Sequence, residues 1–276
     1  MTAGDLEDYY TSLKRRLSTN SVIKQHAIIH STLKWAYKHD WLNRNVADMV
    51  DTMRKEKPEL DEPYSVEEIA ELLKVVRNHP IYLPVLMAAM FGLRRSEVLG
   101  LKWSAIDFEK KEFTVRTTVV RQHCGKRLKT TVRENVTKSA SSKRVLPLSD
   151  YAVRLLREAK REQERNRALC GNCYNTQYLD FLCVNQMGDL LNPDYISQSF
   201  QKLLKRNGLR HIRFHDLRHS CASILADMGY SMKNIQTWLG HSDYNFTANT
   251  YVHTERGAHA EMAKEFSENL MEYSGM

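Results

Sequence analysis

EFTVRTTVVRQHCGKRLKTTVRENVTKSASSKRVLPL, residues 112–148, is the stretch whose texture breaks from that of the rest of the chain. Val, Thr and Arg alternate in EFTVRTTVV (112–120), KTTV (129–132) and KRVLPL (143–148). Such alternation suits a pleated, half-buried strand, because successive side chains point to opposite faces and β-branched residues pack well there. The turn-forming runs Cys124-Gly125-Lys126 and Lys138-Ser139-Ala140-Ser141-Ser142 separate the three pieces. These signals predict a small antiparallel sheet. The segments on either side read as helix, so the predicted fold class is mostly α with a small antiparallel β-sheet, an α+β fold.

Upstream of the sheet, helical character runs back from about Trp103 to a clear start signal. Ser65-Val66-Glu67-Glu68 is a Ser-x-x-Glu capping box, and Ile69, Leu72, Leu73 and Val76 follow at helical spacing. Just before it lies KEKPELDEP (55–63), charged and aperiodic with two prolines. Proline ends a helix at its own position and disfavours one at the residue before, so this stretch reads as a linker. The predicted organisation is therefore a helical domain over 1–56, a linker over 57–64 and a second domain over 65–276. In the first domain the cap-rich run Ser18–Ser21 precedes Val22, Ile29, Leu33 and Ala36 on one helical face, with lysines and arginines on the others. Downstream of the sheet the periodicity predicts helices over 150–168, 193–207, 215–228, 231–239 and 256–272.

Composition narrows the partners. The 276 residues carry 41 Lys and Arg against 33 Asp and Glu, a formal charge of +8. That surplus favours polyanions without naming a reaction. The N-terminus, MTAGDLEDYY, is acidic where an export signal would be basic and then apolar. The longest apolar run, 81–93, is short of the roughly 20 residues a membrane span needs, and Pro84 lies within it. The reading is a cytoplasmic protein without membrane association. Its five scattered cysteines fit a reducing compartment, and the lone pair Cys170-Gly171-Asn172-Cys173 lacks the second pair a structural zinc site commonly uses. No metal or cofactor is expected.

The chemistry concentrates in four places. In His215-Asp216-Leu217-Arg218-His219 the helical spacing lets His215, Arg218 and His219 project together, pairing imidazole and guanidinium beside each other. Arginine's planar fork matches phosphate oxygens, and histidine transfers protons near neutral pH. The i, i+4 histidines also allow a zinc reading, disfavoured by Asp216 where a Glu base would stand and by the fixed charge of Arg218. Alone, the motif is equally compatible with a basic surface helix. Gly92-Leu93-Arg94-Arg95-Ser96-Glu97 places further arginines at a glycine-marked break, where Arg94 and Glu97 could simply be a surface pair at i, i+3. Leu239-Gly240-His241 ends a helix at glycine, and Tyr251 follows ten residues later; as one of 13 tyrosines it would, by itself, pass for a packing residue.

Taken in order, Gly-Leu-Arg-x-x-Glu, a lysine ahead of a strand, His-x-Leu-Arg-His, Leu-Gly-His and Tyr resemble the tyrosine recombinase (phage integrase) family over about residues 65–272. The detail is similar to integrases of temperate phages and conjugative transposons of Gram-positive bacteria. The resemblance implies that Arg94 and Arg218 clamp a scissile phosphate, that His215 and His241 contact it with His215 taking the tyrosine proton, that Lys138 is the hairpin lysine, and that Tyr251 is the nucleophile. Glu97 would support Arg94, and Arg95 is excluded. The implied function is site-specific recombination of double-stranded DNA by metal-free cleavage through a 3′-phosphotyrosyl intermediate. The segment 1–56 would be a core-binding domain that starts partway in, since the family usually has a longer one preceded by an arm-binding domain. The tail helix 256–272, with Met262, Phe266 and Leu270 on one face, would join protomers in a tetramer on DNA, with DNA-bending or excision factors as possible accessories. The alternatives are a type IB topoisomerase-like enzyme and a non-catalytic DNA-binding protein derived from an integrase.

Overall fold

The computed structural model describes residues 1–240 except 52, 55, 57–61, 125–126 and 135–143, and of 123, 124, 127 and 128 it describes the backbone only. The predicted tail helix 256–272 lies outside the described residues. The chain divides into two compact units, Met1–Leu60 and Asp61–Met276.

The first unit is a helical pair closed by a 3₁₀ turn. Helix α1 (Ala3–Lys14) starts at a capping box between Thr2 and Asp5, and α2 (Thr19–Lys38) starts at Ser18, whose hydroxyl accepts from the Ser21 N–H. These caps satisfy backbone donors that have no partner within the helix. Leu6, Tyr10 and Leu13 of α1 meet Val22 and Leu33 of α2, and Val46, Ala47 and Val50 close the cluster.

In the second unit, α3 (Val66–Val76) begins at the predicted box: Ser65 N–H donates to Glu68 Oε2 at 2.9 Å and Glu68 N–H to Ser65 Oγ at 3.3 Å. Helix α4 (Tyr82–Phe91) is apolar all round, with Val85, Leu86, Met87, Ala88, Ala89 and Phe91 buried, as befits a helix surrounded by protein. Pro84 sits in its first turn, where an amide hydrogen has no helical acceptor, so the helix runs through it. Gly92 then closes α4 in the left-handed conformation (φ +60°) and the short α5 (Arg95–Leu99) follows.

The fold is mostly helical with antiparallel strands, as the sequence predicts, but among the described residues the strands form two sheets. β1 (Ile106–Asp107), β2 (Glu112–Val115) and β5 (Arg144–Pro147) make one, in the order β1-β2-β5, while β3 (Thr117–Cys124) and β4 (Arg127–Glu134) pair as a separate ribbon. The chain leaves the first sheet at Arg116 and returns to it only with β5, whose Val145 pairs with Thr114. Helices α6 (Asp150–Cys170), α7 (Pro193–Arg206), α8 (Asp216–Asp227) and α9 (Met232–Leu239) follow in the described part of the unit. One core runs from Leu72 through Phe91, Leu99, Phe113 and Leu146 to Phe200 and Leu217. No described helix is long and apolar enough to cross a membrane.

Candidate active site

Arg94, Glu97, His215 and Arg218, four of the seven residues singled out in the sequence, stand in described parts of the second unit. Lys138 falls in 135–143, and His241 and Tyr251 fall beyond Gly240; all three lie outside the described residues.

Arg94 is the N-cap of α5. Its backbone N–H donates to Glu97 Oε2 at 3.0 Å and its Nη1 to Glu97 Oε1 at 2.8 Å. The surface ion pair that sequence spacing allowed is therefore half right: the Arg94 side chain is 36% exposed, but that of Glu97 only 5%. A buried carboxylate is costly unless its oxygens are well satisfied. Here a second guanidinium does this, because Arg144 Nη2 donates to Glu97 Oε2 at 3.0 Å. Burial alone would raise the Glu97 pKa, but the charge of Arg144, its hydrogen bond and then Arg94 hold it below the usual carboxylate range.

Sequence reasoning treated Arg144 as an ordinary strand residue. In the structure residues 144 and 146 of β5 are buried and 145 and 147 exposed, so the arginine stands in phase with the core leucine, Leu146. A charged residue on the inward face of a strand needs a partner, and Glu97 supplies it.

Arg218, on α8, is among the largest fully buried side chains, with 2% exposure. Its Nη1 donates to the Gly92 carbonyl at 2.6 Å, so the break between α4 and α5 positions both Arg94 and Arg218. Burial first, and then the charge of Arg94, lowers its pKa to about 9; it stays cationic at neutral pH in surroundings that favour a nearby anion. Leu217, between Asp216 and Arg218, is part of the core.

His215 caps α8, with its ring edge-on to His219 at 5.4 Å between centroids. The residue keeps an exposed face, yet crowding by protein, followed by His219 and Arg218, pushes its pKa down to about 4. At neutral pH the imidazole is therefore neutral and able to accept a proton. Asp216 is occupied: Arg213 donates to it from its backbone N–H (2.7 Å), Nε (3.0 Å) and Nη2 (2.8 Å). That leaves Asp216 poorly placed for the zinc reading's general base. Arg95 is tied to α7 through Pro193 O and Ser197 Oγ.

Arg94, Arg95, His211, Arg213 and His215 line one cavity of about 770 Å³, together with the apolar Val120 and Phe214. Its basic lining, the buried cation of Arg218 close enough to Arg94 and His215 to act on both electrostatically, and a neutral imidazole suit a phosphodiester: guanidinium forks for non-bridging oxygens, and a base for an attacking hydroxyl. Among the described residues no group of three or more His, Cys, Asp and Glu could hold a metal ion. The CxxC cysteines are apart from this cavity: Cys170 ends α6 and its thiol faces Gln186 O at 3.5 Å.

Residues 64–257 match the Phage integrase family. The chain is 28% identical over 260 residues to a XerC-like tyrosine recombinase of Caldanaerobacter subterraneus, covering 90% of this chain and 66% of that protein. It is 21% identical to the integrase of Staphylococcus phage L54a, with 90% of this chain and 74% of that protein covered. Thus the chain spans about two thirds to three quarters of the length of these relatives. Among solved structures, the Tn1549 transposon integrase in complex with a circular intermediate DNA superposes with a TM-score of 0.77 at 20% identity, covering 95% of this chain and 85% of that one. The lambda integrase tetramer bound to a Holliday junction gives a TM-score of 0.66 at 15% identity, covering 91% and 64%.

Proposed function

The chain belongs to the phage integrase family, and on that premise we propose that it cuts and rejoins double-stranded DNA at specific sites through a covalent link to Tyr251. The observation that carries this reading is the cluster at the α4–α5 break: Arg94 and buried Arg218 positioned by Gly92 and Glu97, beside a neutral His215. In the proposed step the Tyr251 hydroxyl attacks the scissile phosphorus as its proton passes to His215. The bond from phosphorus to the 5′-oxygen breaks, and that oxygen takes a proton from Lys138. Arg94, Arg218 and His241 hold the non-bridging oxygens as charge builds on them, the role a metal ion plays in other phosphoryl-transfer sites. The product is a 3′-phosphotyrosyl bond, which conserves the energy of the cut linkage, so religation by a 5′-hydroxyl needs no ATP.

In this reading residues 1–56 form a core-binding domain and 65–276 a catalytic domain, joined by the linker 57–64. The tail 256–272 links protomers of a tetramer on DNA, and the biological setting is integration or excision of a mobile element in the bacterial cytoplasm, with accessory DNA-bending proteins. The neighbours that support this setting are a transposon integrase on a circular intermediate and a tetrameric integrase on a Holliday junction.

The test begins with duplexes selected for binding from a random pool and nicked at successive positions. Each is incubated with protein in EDTA and resolved on a denaturing gel. A covalent protein–DNA band is expected from wild type, with Arg94→Ala and Arg218→Ala slowed by roughly 100- to 1000-fold, the loss typical of a removed transition-state donor. Covalent bands of equal rate from both variants would remove the cluster from the chemistry.

A further inference from the structure

Arg144 reaches from the strand β5 to two other elements, α5 and α9. Its Nη2 donates to Glu97 Oε2 at 3.0 Å, and its Nε donates to the carbonyl of Trp238 at 2.9 Å. Its side chain is 6% exposed, so it is closed off from the cavity that Arg94 and His215 line. Trp238 lies in the last turn of α9, where carbonyls have no helical donor and a cation meets the negative end of the helix dipole. The chain continues from α9 through Gly240, in the left-handed conformation, toward His241. One guanidinium therefore joins the strand that follows Lys138 in sequence, the carboxylate under Arg94, and the end of the helix that precedes His241 and Tyr251.

We propose that Arg144 is a positioning residue for DNA cleavage, holding Glu97 in the geometry that aims Arg94 while fixing the end of α9. The proposal rests on the reading of this site as a DNA-cleaving centre. Its physical basis is twofold. Glu97 alone would draw Arg94 into a closed pair and offset its charge; Arg144 takes a share of the carboxylate and leaves Arg94 a net cation facing the cavity. The two bonds also need a planar fork, because they run from Nε and Nη2 to acceptors on different elements. A lysine ammonium is a point charge on a flexible stem and does not reproduce that fork. A third donor, Nη1, is buried without a hydrogen-bond partner among the described residues, a cost accepted to hold the other two.

The test is single-turnover cleavage of a nicked duplex at saturating protein, comparing wild type, Arg144→Lys, Glu97→Gln and the double variant. The final amplitude of covalent adduct counts folded, competent molecules, and the rate constant reports chemistry per site. Partial misfolding therefore lowers the amplitude and leaves the rate untouched. The expected result for Arg144→Lys is an unchanged DNA affinity with a rate slower by about 10- to 100-fold, the loss seen when a group that orients a charged ligand is replaced. The double variant should be no slower than Glu97→Gln, since the two residues act through one contact. A wild-type rate in Arg144→Lys, or losses that simply multiply in the double variant, would overturn the proposal. If wild type itself forms no adduct on a bound duplex, the cleavage reading fails. The tie itself is then read by amide hydrogen exchange in 232–240: faster exchange in Arg144→Lys upholds it, and unchanged exchange refutes it.

Discussion

His215 shows how a single residue's surroundings set its chemistry. An imidazole in water titrates near 6.5, while here crowding and the neighbouring His219 and Arg218 bring it to about 4. Between those values the unfolded chain binds a proton that the folded chain does not, so stability rises with pH across the window and is lost as pH falls from about 6.5 toward 4. His219, lowered mainly by burial, acts in the same direction. Urea melts of wild type at pH 7 and pH 5 should therefore show a clear loss at the lower pH, and His215→Asn should lose less. Equal losses in the two proteins would mean that His215 is not held neutral by the fold. At this scale the sequence was legible for spacing, since the rings of His215 and His219, four residues apart, meet edge-on. It was silent on burial: nothing in Gly-Leu-Arg-Arg-Ser-Glu says that Glu97 is inside, because its burial depends on Arg144, 47 positions away. Such a contact is made by tertiary packing, which local patterns do not encode.

At the scale of elements, the break between α4 and α5 organises the site, and Gly92 makes it possible. A side chain there would have to adopt φ +60°, and its Cβ would come within 2.2 Å of Leu239 Cδ2. The backbone strain costs about 1–2 kcal/mol, and crowding a packed site costs about 1–3 kcal/mol more. Gly92→Ala should thus lower the unfolding free energy by several kcal/mol in denaturant melts. Because the Gly92 carbonyl receives Arg218, the same variant should cleave DNA more slowly per folded molecule. A variant as stable as wild type would show that α9 gives way easily and that the break is not constrained. The sequence revealed the helices through caps such as Ser65 and Glu68, where partners are three residues apart. The strands were visible by alternation, but their partition into two sheets was not. β2 pairs with β5 across the excursion of β3 and β4, and such pairing depends on which faces find cover, with no local marker at Arg116 beyond the alternation itself.

For the whole molecule, the chain divides into two compact units and carries a surplus of +8 charges, which favours polyanions, and two of the proposed site residues in the second unit, Arg94 and His215, line one cavity. The order of the motifs made the family legible, because four short patterns at consistent spacing are far more specific than any one. Where Tyr251 meets the cluster lies beyond what periodicity can place, and that meeting is the central claim. It is tested most directly by trapping the adduct on a bound, nicked duplex in EDTA, digesting protein and DNA, and mapping the modified peptide by mass spectrometry. The expected result is a nucleotide joined through its 3′-phosphate to Tyr251, absent in Tyr251→Phe. A nucleotide on another residue, or an adduct of equal yield in Tyr251→Phe, would contradict the account.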